Sequence, residues 1–274
     1  MDLHSITQVR RPSSPAEVVG WPKGHAWLGG GTWLFSEPQP GLDTLVDLDG
    51  FGWPALTVAE AGLEIAATCP IIALDRFVPP AEWPAGPLLR ACCRSLLASF
   101  KVMNTATVGG NICMSLPAGA LIALTVALEA RYTLWSRDGA ARSVDAAEFV
   151  TGDHRNILQP GELLRGIGIP AASLSKRYAM RRMTLTHLGR SAALLIGTQA
   201  PGRRNLTLTI TASTPRPVRL HFAAMPDART LAGAIRARVP DDGFFDDVNG
   251  TPAYKRHLTY QFAEQIRAEL DAGA

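Results

Sequence analysis

Two short stretches concentrate the residue types that grip phosphate. They are "WLGGGTWL", from Trp27 to Leu34, and "TVGGN", from Thr107 to Asn111. Successive glycines leave backbone N–H groups uncovered, so the main chain can approach an anion closely. Threonine and asparagine add neutral side-chain donors, and a helix that follows such a turn adds partial positive charge. The chemistry implied is a phosphate held by amide dipoles. Taken singly, either stretch also reads as an ordinary chain reversal. Two standard frameworks fail on spacing. A P-loop needs a lysine and a Ser or Thr directly after its second glycine, and neither stretch has them. The G-x-G-x-x-G fingerprint, counted from Gly29 and Gly31, needs a third glycine where Leu34 stands.

Other chemistries find no constellation. His4, His25, His154, His187, His221 and His257 show no ligand spacing. Cys69, Cys92, Cys93 and Cys113 contain no C-x-x-C pair, and the adjacent Cys92 and Cys93 do not suit a routine bridge. They read as reduced thiols in a core, which points to a cytoplasmic setting. Asp47 and Asp49 read as strand-end and turn residues. No side-chain acid, base, nucleophile or metal ligand is assigned. The net charge of +3 is small for 274 residues, and the basic residues are scattered. The nearest thing to a cluster is Arg177, Arg181 and Arg182 near Arg190, with Arg203 and Arg204 beyond, which does not indicate nucleic acid. The N-terminus "MDLHSITQVRRPSSP" carries no apolar segment of a signal or anchor. The longest apolar run, Ala118 to Ala127, is too short to span a bilayer and reads as a buried helix.

The elements that must position these turns follow from periodicity. With 47% hydrophobic and 19% charged residues, the chain has the composition of a folded globular protein. "HAWL" leads as a strand into the first glycine turn, and Thr44 to Leu48 is a short strand closed by Asp49-Gly50. "PALTVAEAGLEIAAT" reads as a hairpin about Ala61-Gly62. Helices are expected over Pro87 to Ser99 and Gly119 to Ala130, with "TVGGN" as a turn between them. "RYTLWSRDGAARSV" reads as a second hairpin turning at Asp138-Gly139, and "LQPGELLRGIGIP" as a strand stopped by Pro170. The segment "AASLSKR" is a linker and the candidate domain boundary. Beyond it, "SAALLIGTQ" and "NLTLTITAS" are strands about the turn "APGRR", and "DARTLAGAIRAR" is a helix. The last helix starts with Thr251 as cap and Pro252 at the first position. Its stripe of Tyr254, Leu258, Phe262, Ile266 and Leu270 is expected to pack within the chain. The fold class is α+β in two parts.

The ordered set "LGGGTWL", "TLVDL", "LEIAAT", "ATVGGNI…LPAGALIALTVALEA", "LQPGELLRGIGIP" and "YKRHL" resembles the FAD-binding subunit of molybdenum hydroxylases. That family includes the flavin subunits of carbon monoxide dehydrogenase and xanthine dehydrogenase-type enzymes. The resemblance runs from about Ile6 to the C-terminal helix. It implies an FAD-binding domain of the PCMH type over 1–172, in subdomains of roughly 1–52 and 53–172. A small C-terminal α+β domain with an antiparallel sheet would follow over 173–274. It implies that FAD binds to this chain, with its diphosphate clasped, mostly by backbone N–H groups, between two turns. One is Trp27, Leu28, Gly29, Gly30, Gly31, Thr32, Trp33 and Leu34; the other is Thr107, Val108, Gly109, Gly110 and Asn111. Leu97 would lie against the adenine or dimethylbenzene side of the cofactor, and Leu164 near the flavin ring. The implied partners are a large subunit with the molybdenum cofactor and a small subunit with two-iron two-sulfur clusters. Electrons would leave to an outside acceptor such as NAD, quinone or oxygen. The rival readings are a scaffold subunit without FAD and a stand-alone FAD-dependent oxidoreductase. The chain departs from the family pattern at Ala120, where an aspartate is usual, at Met103, where an arginine is common, and in the segment "SKRYAMRRMTLTHLGR".

Overall fold

The computed structural model describes residues 3–18, 20–136 and 139–273. Strands β1 (Gln8–Arg10), β2 (His25–Leu28) and β3 (Thr44–Asp47) form a three-stranded parallel sheet in the order β1-β3-β2. Its centre is β3, whose Leu45 and Val46 are buried. The strand ends where the Asp47 side chain accepts the Asp49 N–H at 3.0 Å. β2 stops at Leu28, and the first glycine turn leaves from its carboxyl end.

A larger unit follows. β4 (Leu56–Ala59) and β5 (Gly62–Ala66) make the expected hairpin. Helices α1 (Ile71–Arg76), α2 (Pro87–Arg94), α3 (Phe100–Thr105), α4 (Val108–Cys113) and α5 (Ala120–Ala127) come next. After them run β6 (Arg131–Trp135), β7 (Ala141–Asp145), α6 (Ala146–Phe149), β8 (Val150–Gly152), β9 (Arg155–Asn156) and β10 (Leu163–Pro170). The antiparallel sheet has the order β4-β5-β10-β6-β7, with Ile167 of β10 opposite Ile65 on one side and Tyr132 on the other. Asp138 of the expected β6–β7 turn lies outside the described residues.

In the C-terminal part, α7 (Ala171–Leu174) precedes β11 (Arg177–Thr184), β12 (Ser191–Gln199), β13 (Leu206–Thr211) and β14 (Val218–Phe222), a four-stranded antiparallel meander. Helices α8 (Ala228–Arg238) and α9 (Pro252–Ala272) complete it. Thr251 caps α9 by accepting the Tyr254 N–H at 3.3 Å. Leu258, Phe262, Ile266 and Leu270 are buried against β12, so the stripe is filled within the chain, as its four-residue recurrence implies. The second core is shared. All eight residues of α5 are buried, and they cluster with Leu194, Ile196 and Ala212 of the C-terminal part. Two ion pairs cross the same junction: Arg219 to Asp145 through hydrogen bonds of 2.6 and 3.0 Å, and Lys176 to Glu129 at 2.6 Å.

Four local readings are corrected. The helix from Pro87 ends at Arg94 rather than Ser99, because Ser95 Oγ bonds back to the Ala91 carbonyl and Ser99 starts a new helix by accepting the Val102 N–H. "TVGGN" is not a turn between two helices but the cap and first residues of α4, with Thr107 Oγ1 accepting the Gly110 N–H at 3.0 Å. The expected linker "AASLSKR" is ordered: its first four residues form α7, and Ser173 and Leu174 are buried. Strands β11 and β14 were not expected: the adjacent Arg181 and Arg182 interrupt the alternation in β11, whereas "VRLHF" of β14 does alternate and was within reach of the pattern.

Candidate functional site

The two glycine stretches meet. A methyl group on Gly30 would overlap the Thr105 carbonyl group and lie 3.0 Å from Ala106 Cα; one on Gly29 would lie 3.0 Å from Thr107 Oγ1. Only a residue without Cβ lets the first loop lie against the α3–α4 junction this closely. Between and beyond them opens a cavity of about 370 Å³, within the range of small-molecule sites. The first loop forms one wall; Ser95 to Ala98, between α2 and α3, another; Met114, Leu116, Ala118 and Gly119 a third. Arg190, from the β11–β12 connection, closes the C-terminal side.

The two stretches offer different things. None of the six backbone N–H groups from Gly29 to Leu34 has a protein acceptor among the described residues, while the Gly31 and Trp33 carbonyls accept from Phe35 and Ser36. Six consecutive free donors beside a cavity suit an anion. In the second stretch four of the five donors are spent, and only the Thr107 N–H has no protein acceptor among the described residues. Val108 N–H goes to the Cys69 carbonyl at 2.8 Å, Gly109 N–H to that of Ala67 at 2.9 Å, and Asn111 N–H to that of Thr107 at 3.0 Å. Together with the Gly110–Thr107 bond, this leaves the second half one free backbone N–H, where the expectation was of several from each half. The residues of "TVGGN" that line the cavity are Thr107, Gly110 and Asn111. Asn111 Oδ1 is buried and has no hydrogen-bond partner among the described residues, so it is an acceptor left for a ligand hydroxyl or amide to satisfy.

Of the other expected residues, Trp27 and Leu97 line the cavity, and Leu97 is 57% exposed at its rim. Trp27 is fixed by its indole N–H, which donates to the Glu162 carbonyl at 3.1 Å, and by stacking on Trp21 at 4.4 Å. Leu28 and Val108 do not reach the cavity, and neither does Gly109. Gly109 is instead required by packing: a methyl group there would come within 2.7 Å of both Ala67 Cα and its carbonyl oxygen. Leu164 is 2% exposed in the core under β10 and is not brought to the cavity. Ala120 is wholly buried as the first residue of α5, so the departure there alters the layer beneath the wall rather than the wall itself. Met103 packs against the same core. Sequence reasoning missed Ser95, the Leu116 to Gly119 wall and Arg190. Leu116, Ala118 and Gly119 belong to the quoted "LPAGA" segment and were within reach of it. Arg190 carries no local signal.

Electrostatically the cavity is nearly bare. Among the described residues that line it there is no carboxylate, lysine or histidine; its titratable groups are Arg190 and Cys113. Burial pushes the Cys113 thiol up to about 12, so it is a neutral packing group at physiological pH. The arrangement can bind, orient and exclude water; it has no general base to offer.

Comparison with known proteins agrees with this geometry. The family described as "FAD binding domain in molybdopterin dehydrogenase" matches residues 7–172. The carbon monoxide dehydrogenase medium chain of Afipia carboxidovorans is 30% identical over 125 residues, covering 44% of this chain and 43% of the relative. Caffeine dehydrogenase subunit beta of Pseudomonas sp. strain CBB1 is 29% identical over 138 residues, covering 49% and 46%. The matched part thus spans about half the length of these relatives. Reconstituted CO dehydrogenase from Oligotropha carboxidovorans contains a chain that superimposes with a TM-score of 0.82 at 23% identity, over 100% of both chains. Quinoline 2-oxidoreductase from Pseudomonas putida 86 gives 0.80 at 19% identity, over 100% of this chain and 99% of the other. Those likenesses establish the shared α+β fold.

Proposed function

We propose, from the premise that this chain belongs to the family of FAD-binding domains in molybdopterin dehydrogenases, that it holds FAD as the flavin subunit of a molybdenum-containing hydroxylase or dehydrogenase. The observation that carries the reading is the run of free N–H groups on residues Gly29 to Leu34, all of which line a cavity with no carboxylate among its described lining residues. A dinucleotide fits what is present. Its diphosphate needs clustered donors and tolerates no nearby acid, and Asn111 Oδ1 supplies an acceptor that the protein leaves unused. The missing Cβ of Gly30 keeps the donor loop against Thr105 and Ala106, so the donors are held in place before the ligand arrives.

Within this reading the first loop binds the diphosphate. Thr107 and Asn111 orient the adjoining polar chain, and Leu97, Leu116 and Ala118 exclude water from the flat apolar rings. When bound, FAD supplies the redox chemistry, accepting electrons and releasing them in pairs. No proton is moved by a side chain of this chain, in keeping with the absence of any acid or base among the described lining residues. The substrate site then belongs to a large subunit with the molybdenum cofactor. Electrons reach this chain through a small iron–sulfur subunit and leave to NAD or another outside acceptor.

The test is a titration of the purified full chain with FAD, followed by quenching of flavin fluorescence. Saturable uptake of one FAD per chain is expected; a folded chain that takes up none overturns the reading. Co-expression with candidate large and iron–sulfur subunits should yield one complex on gel filtration. An FAD-loaded chain that remains alone and oxidises a small substrate directly would favour the stand-alone oxidoreductase.

A further inference from the structure

Four arginines belong to the β11–β12 hairpin, and three are committed within the protein. Arg177 bonds Gln199 and the Gly273 carbonyl. Arg181 bonds Gln265 and Glu269. Arg182 donates to Ser191 Oγ and the Gly189 carbonyl. Arg190 has no hydrogen-bond or ion-pair partner among the described residues, and it alone of the four lines the cavity. Arg190 is exposed at the cavity edge, and because no carboxylate lines that cavity among the described residues, nothing there competes with a ligand's negative charge for its guanidinium.

The fold indicates which part of the ligand Arg190 meets. Gly29 and Gly30 contact the chain at Thr105 to Thr107, the start of α4. The C-terminal sheet joins beyond the other end of that helix, where the Ala212 N–H donates to the Pro117 carbonyl at 2.8 Å. Arg190 immediately precedes β12 of that sheet, and Leu194 of β12 pairs with Thr211, next to Ala212. A six-residue helix is about 9 Å long. The free N–H run and Arg190 therefore enter the cavity from different ends of α4, and a ligand whose diphosphate lies at the first end brings its other reactive part to the second.

Resting on the reading that this cavity holds FAD, we propose that Arg190 is the cationic group at the flavin-ring end of the site. It stabilises the negative charge that two-electron reduction leaves on the ring and so raises the ring's reduction potential. An opposite charge at roughly 4–6 Å shifts an ionisation by about one unit. The corresponding effect is an about tenfold tighter hold on the reduced than on the oxidised cofactor, or about 30 mV for a two-electron couple.

The experiment compares the FAD-loaded full chain with R190A and R190K. It reads the midpoint potential by equilibration with a reference dye, and the affinities for FAD and for ADP by calorimetry. Arg190 is exposed and makes no protein hydrogen bond among the described residues, so neither substitution is expected to disturb folding. The expected result is a potential lowered by about 30 mV in R190A, largely restored in R190K, with ADP affinity the same in all three. R190A with bound FAD at the wild-type potential overturns the assignment of Arg190 and leaves the FAD reading intact. Weaker ADP binding by R190A also overturns it, by placing the arginine at the diphosphate. Wild-type chain that binds no FAD overturns both.

Discussion

Substituting Gly30 by alanine tests the geometry on which the site depends. The added carbon would lie 2.6 Å from the Thr105 carbonyl carbon and 3.0 Å from Ala106 Cα, whereas carbon atoms in contact prefer about 3.5–4.0 Å. The first loop must then withdraw from the α3–α4 junction by about 1 Å. Both obstacles are backbone atoms, so no rotamer change relieves the clash. Overpacking of this kind costs about 1–3 kcal/mol. If the loop yields only when the donors are not engaged, that cost appears in binding, as an about 5- to 150-fold weaker affinity for FAD. Two companions calibrate the result. In Gly29→Ala the new carbon meets the Thr107 side chain, with Oγ1 at 3.0 Å and no backbone atom among its nearest contacts, a milder overlap, so a smaller loss is expected. Gly41→Ala meets nothing within 4 Å and should behave as wild type. Calorimetric titration with FAD, with a urea melt of each ligand-free variant, separates affinity from stability. Should Gly30→Ala match the wild type in both measurements, the close apposition of the two loops is not what builds the site.

Three further expectations follow from particular contacts. Removing the buried, unsatisfied acceptor in Asn111→Ala should leave the ligand-free chain as stable as wild type or slightly more so, yet weaken FAD binding about fivefold, the worth of one hydrogen bond of ~1 kcal/mol; paired urea melts and titrations check both signs. Gly109→Ala should instead destabilise the fold by about 1–3 kcal/mol through its clash with Ala67, seen in urea denaturation, with little effect on the affinity of the molecules that remain folded. Burial opposes the charge on Asp145, but hydrogen bonds from Arg219 and the Ala147 N–H outweigh it and hold its carboxyl below the usual carboxylate range. Its folded value being the lower one, the stabilisation is complete above the unfolded value of about 3.9 and fades as pH falls through the folded value. Asp145→Asn should therefore cost about 1–2 kcal/mol at pH 7, and the gap to wild type should narrow steadily as pH is taken down through the carboxylate range; a gap of unchanged size across that acid series in urea melts would refute the pairing.

Elements governed by local signals were legible from the chain. The Thr251–Pro252 start and four-residue stripe of α9, the apolar run of α5, and the β4–β5 and β12–β13 hairpins each carry their own pattern within a few residues. Elements whose state is decided from a distance were not. Gly109 and Gly110 argue against a helix by propensity, yet α4 forms because the Ala67 and Cys69 carbonyls, some forty residues earlier, accept its first N–H groups. The same bonds reversed the expected role of "TVGGN", from backbone donor to side-chain contributor. The first glycine loop was legible as a run of uncovered donors because no neighbour consumes them. Leu164 was misplaced because a strand's alternation does not say which face meets a cavity and which a core. Arg190 was visible only as one of several arginines; that three of them are tied into the sheet, and it is not, is a tertiary fact.

The complete burial of α5 bears on how the polypeptide acquires its shape. A chain halted at residue 172 would lack Leu194, Ile196 and Ala212, and would expose to water a helix with no polar face beyond Thr125. Such a fragment would self-associate rather than wait as a finished half. Because Arg190 lies beyond residue 172, the lining of the cavity is complete only once the C-terminal part has been made and has docked on α5.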